Sequence, residues 1–309
     1  MCWPNMKYSI SCPARFFCLM TLSSAPAVLF AGAGAVNDPI LYKQGFLQVV
    51  SPDGATLEQC KLAAKKVSAA WKFDLNLMKW AHPEVMERPF ILRLVSDERM
   101  KQQYGRVVNA MTSGDGNRIN VRMSLLDTGH IDLTIAHELG HVQMRRAMGK
   151  SPHRSSVPNY FIEGHGQMMN WNYADYLHMD KEAGARTEVK VIMALAPEEL
   201  EQILTDDKYD RVGTPEEKAK KSFKMECVGL FLMEHLRTQK GIPDAVQRMG
   251  QVFEAVGSGL TYEQAFARVY GFSVKRAVAE LVANFKRTAA NPAGRVEGTR
   301  WEPYVPAAK

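Results

Sequence analysis

Two histidines and a glutamate near the middle of the chain have the residue types and spacing of a metal site with a catalytic base. They are His137, Glu138 and His141, in the segment His-Glu-Leu-Gly-His. Residues four apart lie about 40° from each other on a helix of about 3.6 residues per turn, so both imidazoles can reach one ion. Glu138 is rotated by about 100° from His137, which suits a base beside a water molecule at that ion. The pattern predicts a zinc site of the peptidase type.

A third metal ligand must follow, because catalytic zinc takes three protein ligands and keeps one position for water. The metzincin pattern places a glycine three residues and a histidine six residues after the second histidine. Met144 and Ala147 occupy those positions, which excludes that class. The remaining candidates are His153, Glu163 and His165. Because Glu163 and His165 are about 200° apart around a helix, at most one of them points to the metal.

The segment after the motif resembles the gluzincin clan of zinc peptidases, in particular the small peptidase-MA-like domains of bacterial proteins. The resemblance depends on the His-Glu-x-x-His motif and on a later aromatic-apolar-Glu-Gly segment that ends at Gly164. It implies that one Zn²⁺ ion is bound by His137, His141 and Glu163, with Glu138 as the general base. It also implies a peptide or protein substrate.

The resemblance extends beyond the ligands, over residues 45–288. The family has a strand such as 90–95 and an edge strand such as 119–123 ahead of the motif. It also has a late segment such as 265–273, followed by a closing helix such as 274–287. The implied fold is therefore zincin-like.

Two features depart from the thermolysin-like pattern. In that pattern an acid four residues after the third ligand steadies a zinc histidine, and this chain has Gln167 there. A glutamine can still accept a hydrogen bond from an imidazole N–H, although more weakly than a carboxylate. Such enzymes also stabilise the oxyanion with a Tyr or His, which the motif does not identify here. The candidates are Tyr173, Tyr176, Tyr209 and His235.

Hydrophobic patterns place strands before the motif. The predicted strands are 46–50, 90–95 and 117–123. The last of them alternates polar and apolar residues, so we expect one of its faces to be exposed to water. Thr56 or Asp53 caps a predicted helix that extends to about Trp80, and a polar helix is predicted from Asp97 to Tyr104.

Helices dominate from the motif onward. The motif helix is predicted at about 131–147, and the helical pattern of 159–290 is interrupted near 206–215, 241–243 and 256–260. We therefore expect a mixed α+β, zincin-like domain. A small N-terminal sheet lobe at about 45–125 precedes the motif helix, and a mainly helical C-terminal lobe at about 159–290 follows it.

The N-terminal segment has the features of an export signal. Lys7 and Arg15 precede or flank an apolar stretch that ends in the small-residue pattern Ala-Gly-Ala. We expect residues 1–35 to be a signal peptide and the mature domain, 36–290, to be periplasmic or secreted, with an irregular tail at 291–309. The alternative is that the same apolar stretch remains as an uncleaved membrane anchor.

Composition limits the possible partners. The chain has 309 residues, 46% of them hydrophobic, which is enough for a sizeable core. The net charge of +6 is spread out, without a run of Lys and Arg interleaved with aromatic residues, so we expect no nucleic-acid binding. No membrane span is expected in the mature chain, and no feature indicates an oligomeric state. Of the cysteines expected in the mature chain, Cys60 and Cys227 either pair or remain as buried thiols.

Three functions are compatible with these patterns. The first is a secreted or periplasmic zinc peptidase with Glu138 as its base. The second is a catalytically inactive zincin-fold binding protein that retains the metal site, which Gln167 and the unassigned oxyanion donor motivate. The third is a helical interaction domain without a metal.

Overall fold

The computed structural model describes residues 38–105, 108–128, 130–179, 188 and 190–290. The predicted signal peptide and C-terminal tail lie outside these residues. The described residues form a mixed α+β fold, in which a small five-stranded sheet is followed mainly by helices. None of the described helices combines the length and the hydrophobicity that a membrane span requires.

The sheet consists of short strands from the first part of the chain. They are β1 (Ile40–Gln44), β2 (Leu47–Val50), β3 (Phe90–Val95), β4 (Ala110–Thr112) and β5 (Arg118–Arg122), arranged in the order β1-β2-β3-β5-β4. The central strands β2, β3 and β5 are parallel, whereas β1 and β4 pair antiparallel at the two edges. β4 is therefore an edge strand that runs antiparallel to the central strands.

The helices lie between and after these strands. They are α1 (Leu57–Met78), α2 (Pro83–Met86), α3 (Asp97–Tyr104), α4 (His130–Met148), α5 (Asn159–Tyr176), α6 (Pro197–Thr205), α7 (Pro215–Glu234), α8 (Ala245–Gly257), α9 (Tyr262–Tyr270) and α10 (Val274–Ala290). Thr56 begins α1 with a capping box. Its hydroxyl accepts a hydrogen bond from the Gln59 N–H at 3.2 Å, and Gln59 Oε1 accepts one from the Thr56 N–H at 2.9 Å.

The motif helix α4 lies in the interior of the protein. Its residues from Thr134 to Arg146 are buried on every side, because β4, α1, α5 and α8 pack around it. Glycine permits the close approach of α5. A Cβ at Gly140 would lie 3.0 Å from the Met169 side chain and 3.5 Å from the α carbon of Gly166. The motif glycine therefore allows the two ligand-bearing helices to pack closely.

α7 supports α5 through a second pair of glycines. A Cβ at Gly164 would lie 2.6 Å from the α carbon of Gly229. A Cβ at Gly229 would lie 2.0 Å from the carbonyl oxygen of Tyr160. Since no larger residue fits at either position without displacing backbone, this contact fixes α5 between α4 and α7.

Two expectations about the sheet are corrected. The alternation in 117–123 predicted a face exposed to water. Arg118 on that face is exposed, but Asn120 is buried because α3 packs against it. The Asn120 side chain donates a hydrogen bond to the Tyr104 hydroxyl at 2.5 Å. The segment 119–123 was also expected at the edge of the sheet. It lies in β5, inside the sheet, and the edge strand is β4, which the sequence patterns did not predict.

Most of the other predicted elements are confirmed. The strands near 46–50 and 90–95, the long first helix, the polar helix and the motif helix are all present within a few residues of their expected ends. β1 and α2 were not predicted. Cys60 and Cys227 are both buried free thiols, so they do not form a disulfide.

Candidate metal centre

Three side chains converge between α4 and α5. His137 and His141 lie one turn apart on α4, and Glu163 lies near the start of α5. The Nε2 atoms of His137 and His141 are 3.0 Å apart. Glu163 Oε2 lies 3.5 Å from His137 Nε2 and 3.3 Å from His141 Nε2. The side chains are 4%, 2% and 3% exposed, respectively. We call these three residues the metal triad.

The spacing of the metal triad fits a metal ion. Zinc bonds of about 2.0–2.1 Å at tetrahedral angles place neighbouring ligand atoms about 3.3 Å apart. Two imidazole nitrogens and one carboxylate oxygen are donors that zinc and related ions accept. Among the described residues, no further Cys, His, Asp or Glu joins this group. The buried triad can therefore hold a metal ion by three protein ligands.

The triad is electrostatically complementary. Burial alone would lower the pKa of His137, but the contact with Glu163 and the charge of Glu138 outweigh burial and raise it above 6.5. Burial would raise the pKa of Glu163, but the charge of His141 and the hydrogen bonds from both imidazoles hold it well below 4.5. The raised pKa of His137 and the lowered pKa of Glu163 thus describe one buried ion pair, and a divalent cation can take over the role of the proton.

The carboxylate of Glu138 is fixed by the edge strand. The hydroxyl of Thr112, at the end of β4, donates a hydrogen bond to Glu138 Oε2 at 2.5 Å and lies 3.1 Å from the Glu138 carbonyl oxygen. Glu138 is 8% exposed, and its charge contributes to raising the pKa of His137. Sequence patterns did not identify Thr112, because a strand of three residues has no recognisable periodicity.

A buried arginine holds the same end of β4 against α4. Arg145 Nη1 donates a hydrogen bond to the carbonyl oxygen of Thr112 at 2.6 Å and another to that of Ser113. Burial and the neighbouring charge of Arg154 lower the pKa of Arg145 to about 10, so it remains charged at neutral pH. Arg154 donates to the carbonyl oxygen of Gly114. The turn that follows Thr112 is thus tied to the motif helix and its neighbouring loop.

Gln167 lies one turn after Glu163 on α5 and is 4% exposed. Its neighbour Gly166 lies against the ring of His137. Burial lowers the pKa of His137, whereas Gln167, after Glu163 and Glu138, contributes to raising it. Its Nε2 donates a hydrogen bond to the carboxylate of Glu188. Glu188 was not identified from the sequence, because no local pattern connects it to the motif.

The tyrosines considered as oxyanion donors have contacts outside the metal triad. Tyr173 is buried and packs against Phe73 at a ring distance of 5.2 Å. Tyr176 stacks on Tyr173 and is 61% exposed. The Tyr209 hydroxyl donates a hydrogen bond to Glu199 at 2.6 Å. None of these contacts involves a member of the metal triad.

The remaining histidines also lie outside the metal triad. His235 Nδ1 is 3.3 Å from the amide nitrogen of Asn284, and burial lowers the pKa of His235 to about 4. His165 is fully buried and packs against Phe253 at a ring distance of 5.1 Å. Burial, followed by the charges of the two triad histidines, lowers the pKa of His165 to about 3. His165 is therefore a neutral core residue, and His153 is also outside the group.

No known family model matches the chain, and no curated protein matches it significantly. The resemblance to gluzincins depends on the motif residues.

Proposed function

We propose that the protein is an exported, zinc-dependent peptidase with a zincin-like fold of the gluzincin type. The observation that carries this proposal is the position of Glu138, which Thr112 holds beside the buried metal triad. Metal ligands of this kind, together with an adjacent oriented carboxylate, favour hydrolysis over a purely structural metal site.

His137, His141 and Glu163 would hold the ion. Zinc in such a site supplies a Lewis acid and lowers the pKa of a coordinated water molecule to about 7. Structural zinc sites are instead closed by four ligands and commonly use cysteine. Neither Cys60 nor Cys227 belongs to the triad, and both are buried free thiols. The donor set therefore favours an open, catalytic site.

Glu138 would act as the general base. Its carboxylate accepts a proton from the attacking water and returns it to the amine that leaves the cleaved peptide bond. The hydrogen bond from Thr112 fixes one carboxylate oxygen and limits rotation of the side chain. A base with a fixed orientation loses less entropy when it reaches the geometry of proton transfer.

The edge strand supports a peptide substrate. Among the described strands β4 pairs only with β5, so backbone groups on its other side can pair with a peptide, apart from the Thr112 carbonyl oxygen, to which Arg145 already donates. An extended peptide commonly binds by adding a strand to such an edge. Because β4 ends at Thr112, a peptide bound along it would pass close to Glu138.

The proposal is tested with the purified full chain, by elemental analysis for zinc and by hydrolysis of a peptide library. We expect one zinc ion per chain and cleavage by the wild type. Glu138→Gln should retain zinc and lose about 10²–10⁴-fold in kcat. His141→Ala should lose both zinc and activity. His153→Ala is the matched control, since it removes a histidine outside the metal triad and should retain both.

Each other outcome contradicts a defined part of the proposal. Zinc binding without turnover would contradict the peptidase and support the inactive, metal-retaining binding protein. A wild type that binds no zinc would contradict the metal site itself. Full activity of Glu138→Gln would exclude Glu138 as the base.

A further inference from the structure

We propose that Glu188 is a positioning residue of the metal triad that acts through Gln167. The inference rests on the proposed zinc site and adds a residue to it. Gln167 donates a hydrogen bond from Nε2 to Glu188. On the same helix its neighbour Gly166 lies against the ring of His137, and Glu163, one turn earlier, lies 3.5 Å from His137 Nε2. An imidazole, a carboxamide and a carboxylate thus form a continuous row, which we call the His137–Gln167–Glu188 row.

Two buried atoms in this row complement each other. Nδ1 of His137 and Oε1 of Gln167 make no ordinary hydrogen bond within the described part of the chain. A histidine that binds zinc through Nε2 carries its proton on Nδ1, where an acceptor fixes the tautomer and the ring orientation. The carboxamide oxygen is such an acceptor. Pairing the two atoms when the ion binds would satisfy both.

The orientation of Gln167 follows from Glu188. A carboxylate accepts hydrogen bonds only, so it selects the amide NH₂ group and turns Oε1 toward the other end of the side chain. Its negative charge also polarises the amide, because linked hydrogen bonds strengthen one another. The neutral Gln167 thereby becomes a stronger acceptor. The two residues together supply what a single carboxylate at position 167 would supply.

The carboxylate of Glu188 is buried, so its charge must be compensated by nearby groups. Glu188 is 5% exposed, and it lies near α7, where its charge, after burial, contributes to raising the pKa of the Cys227 thiol. A buried charge is retained when hydrogen bonds and opposite charge offset its desolvation. The amide of Gln167 supplies one such hydrogen bond. An ion bound by the metal triad would supply positive charge at the His137 end of the row.

The test measures the affinity of the full chain for Zn²⁺ by competition with a chromophoric chelator, together with the thermal midpoint of the metal-free protein. Glu188→Gln keeps the shape and an acceptor oxygen but removes the charge. We expect it to weaken zinc binding by about 10- to 100-fold with a nearly unchanged midpoint. The exchanged pair Gln167→Glu/Glu188→Gln places the carboxylate directly at His137 and should restore the affinity. Glu234→Gln, which removes another buried carboxylate, is the matched control and should bind zinc like the wild type.

The outcomes separate this inference from the proposed function. A wild type without zinc overturns both. Wild-type affinity in Glu188→Gln overturns only the role of Glu188. Glu188→Gln could instead lower both the thermal midpoint and the zinc affinity. If the exchanged pair then fails to restore them, Glu188 has a merely structural role, which also overturns the inference. If Glu188→Gln does not fold, Glu188→Asp decides, because it keeps the charge and shortens the side chain, which withdraws the carboxylate from Gln167. Weaker zinc binding then supports the inference, and wild-type affinity overturns it.

Discussion

The ring of His137 lies directly against the α carbon of Gly166, so that a Cβ at position 166 would be 2.8 Å from both Cε1 and Nε2 of the imidazole. Nε2 is the atom that faces the other two members of the metal triad. The glycine on α5 thus determines where a ligand atom on α4 can lie. An added methyl group at position 166 would be fixed to the backbone of α5 and would meet a rigid ring, so either the imidazole or the helix would have to move.

Gly166→Ala should therefore weaken zinc binding more than it weakens the fold. Overpacking costs about 1–3 kcal/mol, and if this cost falls on the position of the imidazole, it corresponds to a loss of about 5- to 150-fold in zinc affinity. Gly250→Ala is the control, because its added methyl group would meet the mobile end of Met78 at 2.9 Å. Chelator competition measures both variants. Equal zinc affinities of Gly166→Ala and Gly250→Ala would show that the position of the His137 imidazole does not depend on Gly166.

Thr112→Val should reduce turnover without removing the metal. The substitution keeps the shape of the side chain and deletes the hydroxyl that donates to Glu138. A hydrogen bond to a charged group contributes about 1.5–3 kcal/mol, so we expect kcat to fall by about tenfold or more. Thr112→Ser retains the hydroxyl and should stay close to the wild type. Equal rates for the valine and serine variants would contradict a role for this hydrogen bond.

Arg145→Met should destabilise the end of β4. The buried guanidinium donates to the carbonyl oxygens of Thr112 and Ser113, and its loss leaves both without that donor. Unsatisfied buried groups cost about 1–3 kcal/mol each, so the free energy of unfolding should fall by about 2–4 kcal/mol. Urea denaturation measures the change. Arg145→Lys keeps a positive charge and a donor and should lose less; a loss as large as that of Arg145→Met would point to packing instead.

The stability of the protein should depend on pH through Asp74. This residue on α1 is fully buried, and neither carboxylate oxygen has a hydrogen-bond partner in the described part of the chain. Burial raises the pKa of Asp74 well above 3.8. The folded state therefore keeps a proton that the unfolded state releases. As the pH rises from about 4 to the pKa of the folded state, the free energy of unfolding should fall by about 1.4 kcal/mol per pH unit from this group.

Asp74→Asn removes this titration and tests the sign. The variant should be more stable than the wild type at about pH 7, by about 1–3 kcal/mol, and should lose that advantage near pH 4. Urea denaturation at the two pH values measures the difference. A difference between variant and wild type that is the same at both pH values would contradict a raised pKa of Asp74.

Local patterns predicted the parts of the structure that depend on local geometry. The pairing of His137 with His141 follows from one helical turn, and the long apolar or amphipathic segments identified α1, β3 and α4. Glu163 was selected through the resemblance, since spacing alone left His153 and His165 open. The structure brings Glu163 to the imidazoles because two glycine contacts hold α5 close to α4.

The parts that were missed depend on tertiary contacts. Thr112 lies on a strand of three residues, and Glu188 accepts a hydrogen bond from Gln167 although the two residues are 21 positions apart in the sequence. The alternation in β5 indicated two different faces but could not show that α3 packs against Asn120 on the polar face, so Asn120 was expected in water. Such residues are found by following hydrogen bonds outward from the motif rather than by spacing.

The contact between Gly164 and Gly229 has a consequence for when the protein acquires its ion. The helix that carries the third ligand is held against a helix that the ribosome makes much later. A nascent chain that ends before α7 contains both imidazoles but lacks the support that keeps Glu163 beside them. We therefore expect metal loading to follow completion of the domain. For an exported chain, the ion would then come from the compartment of destination and not from the cytosolic metal pool.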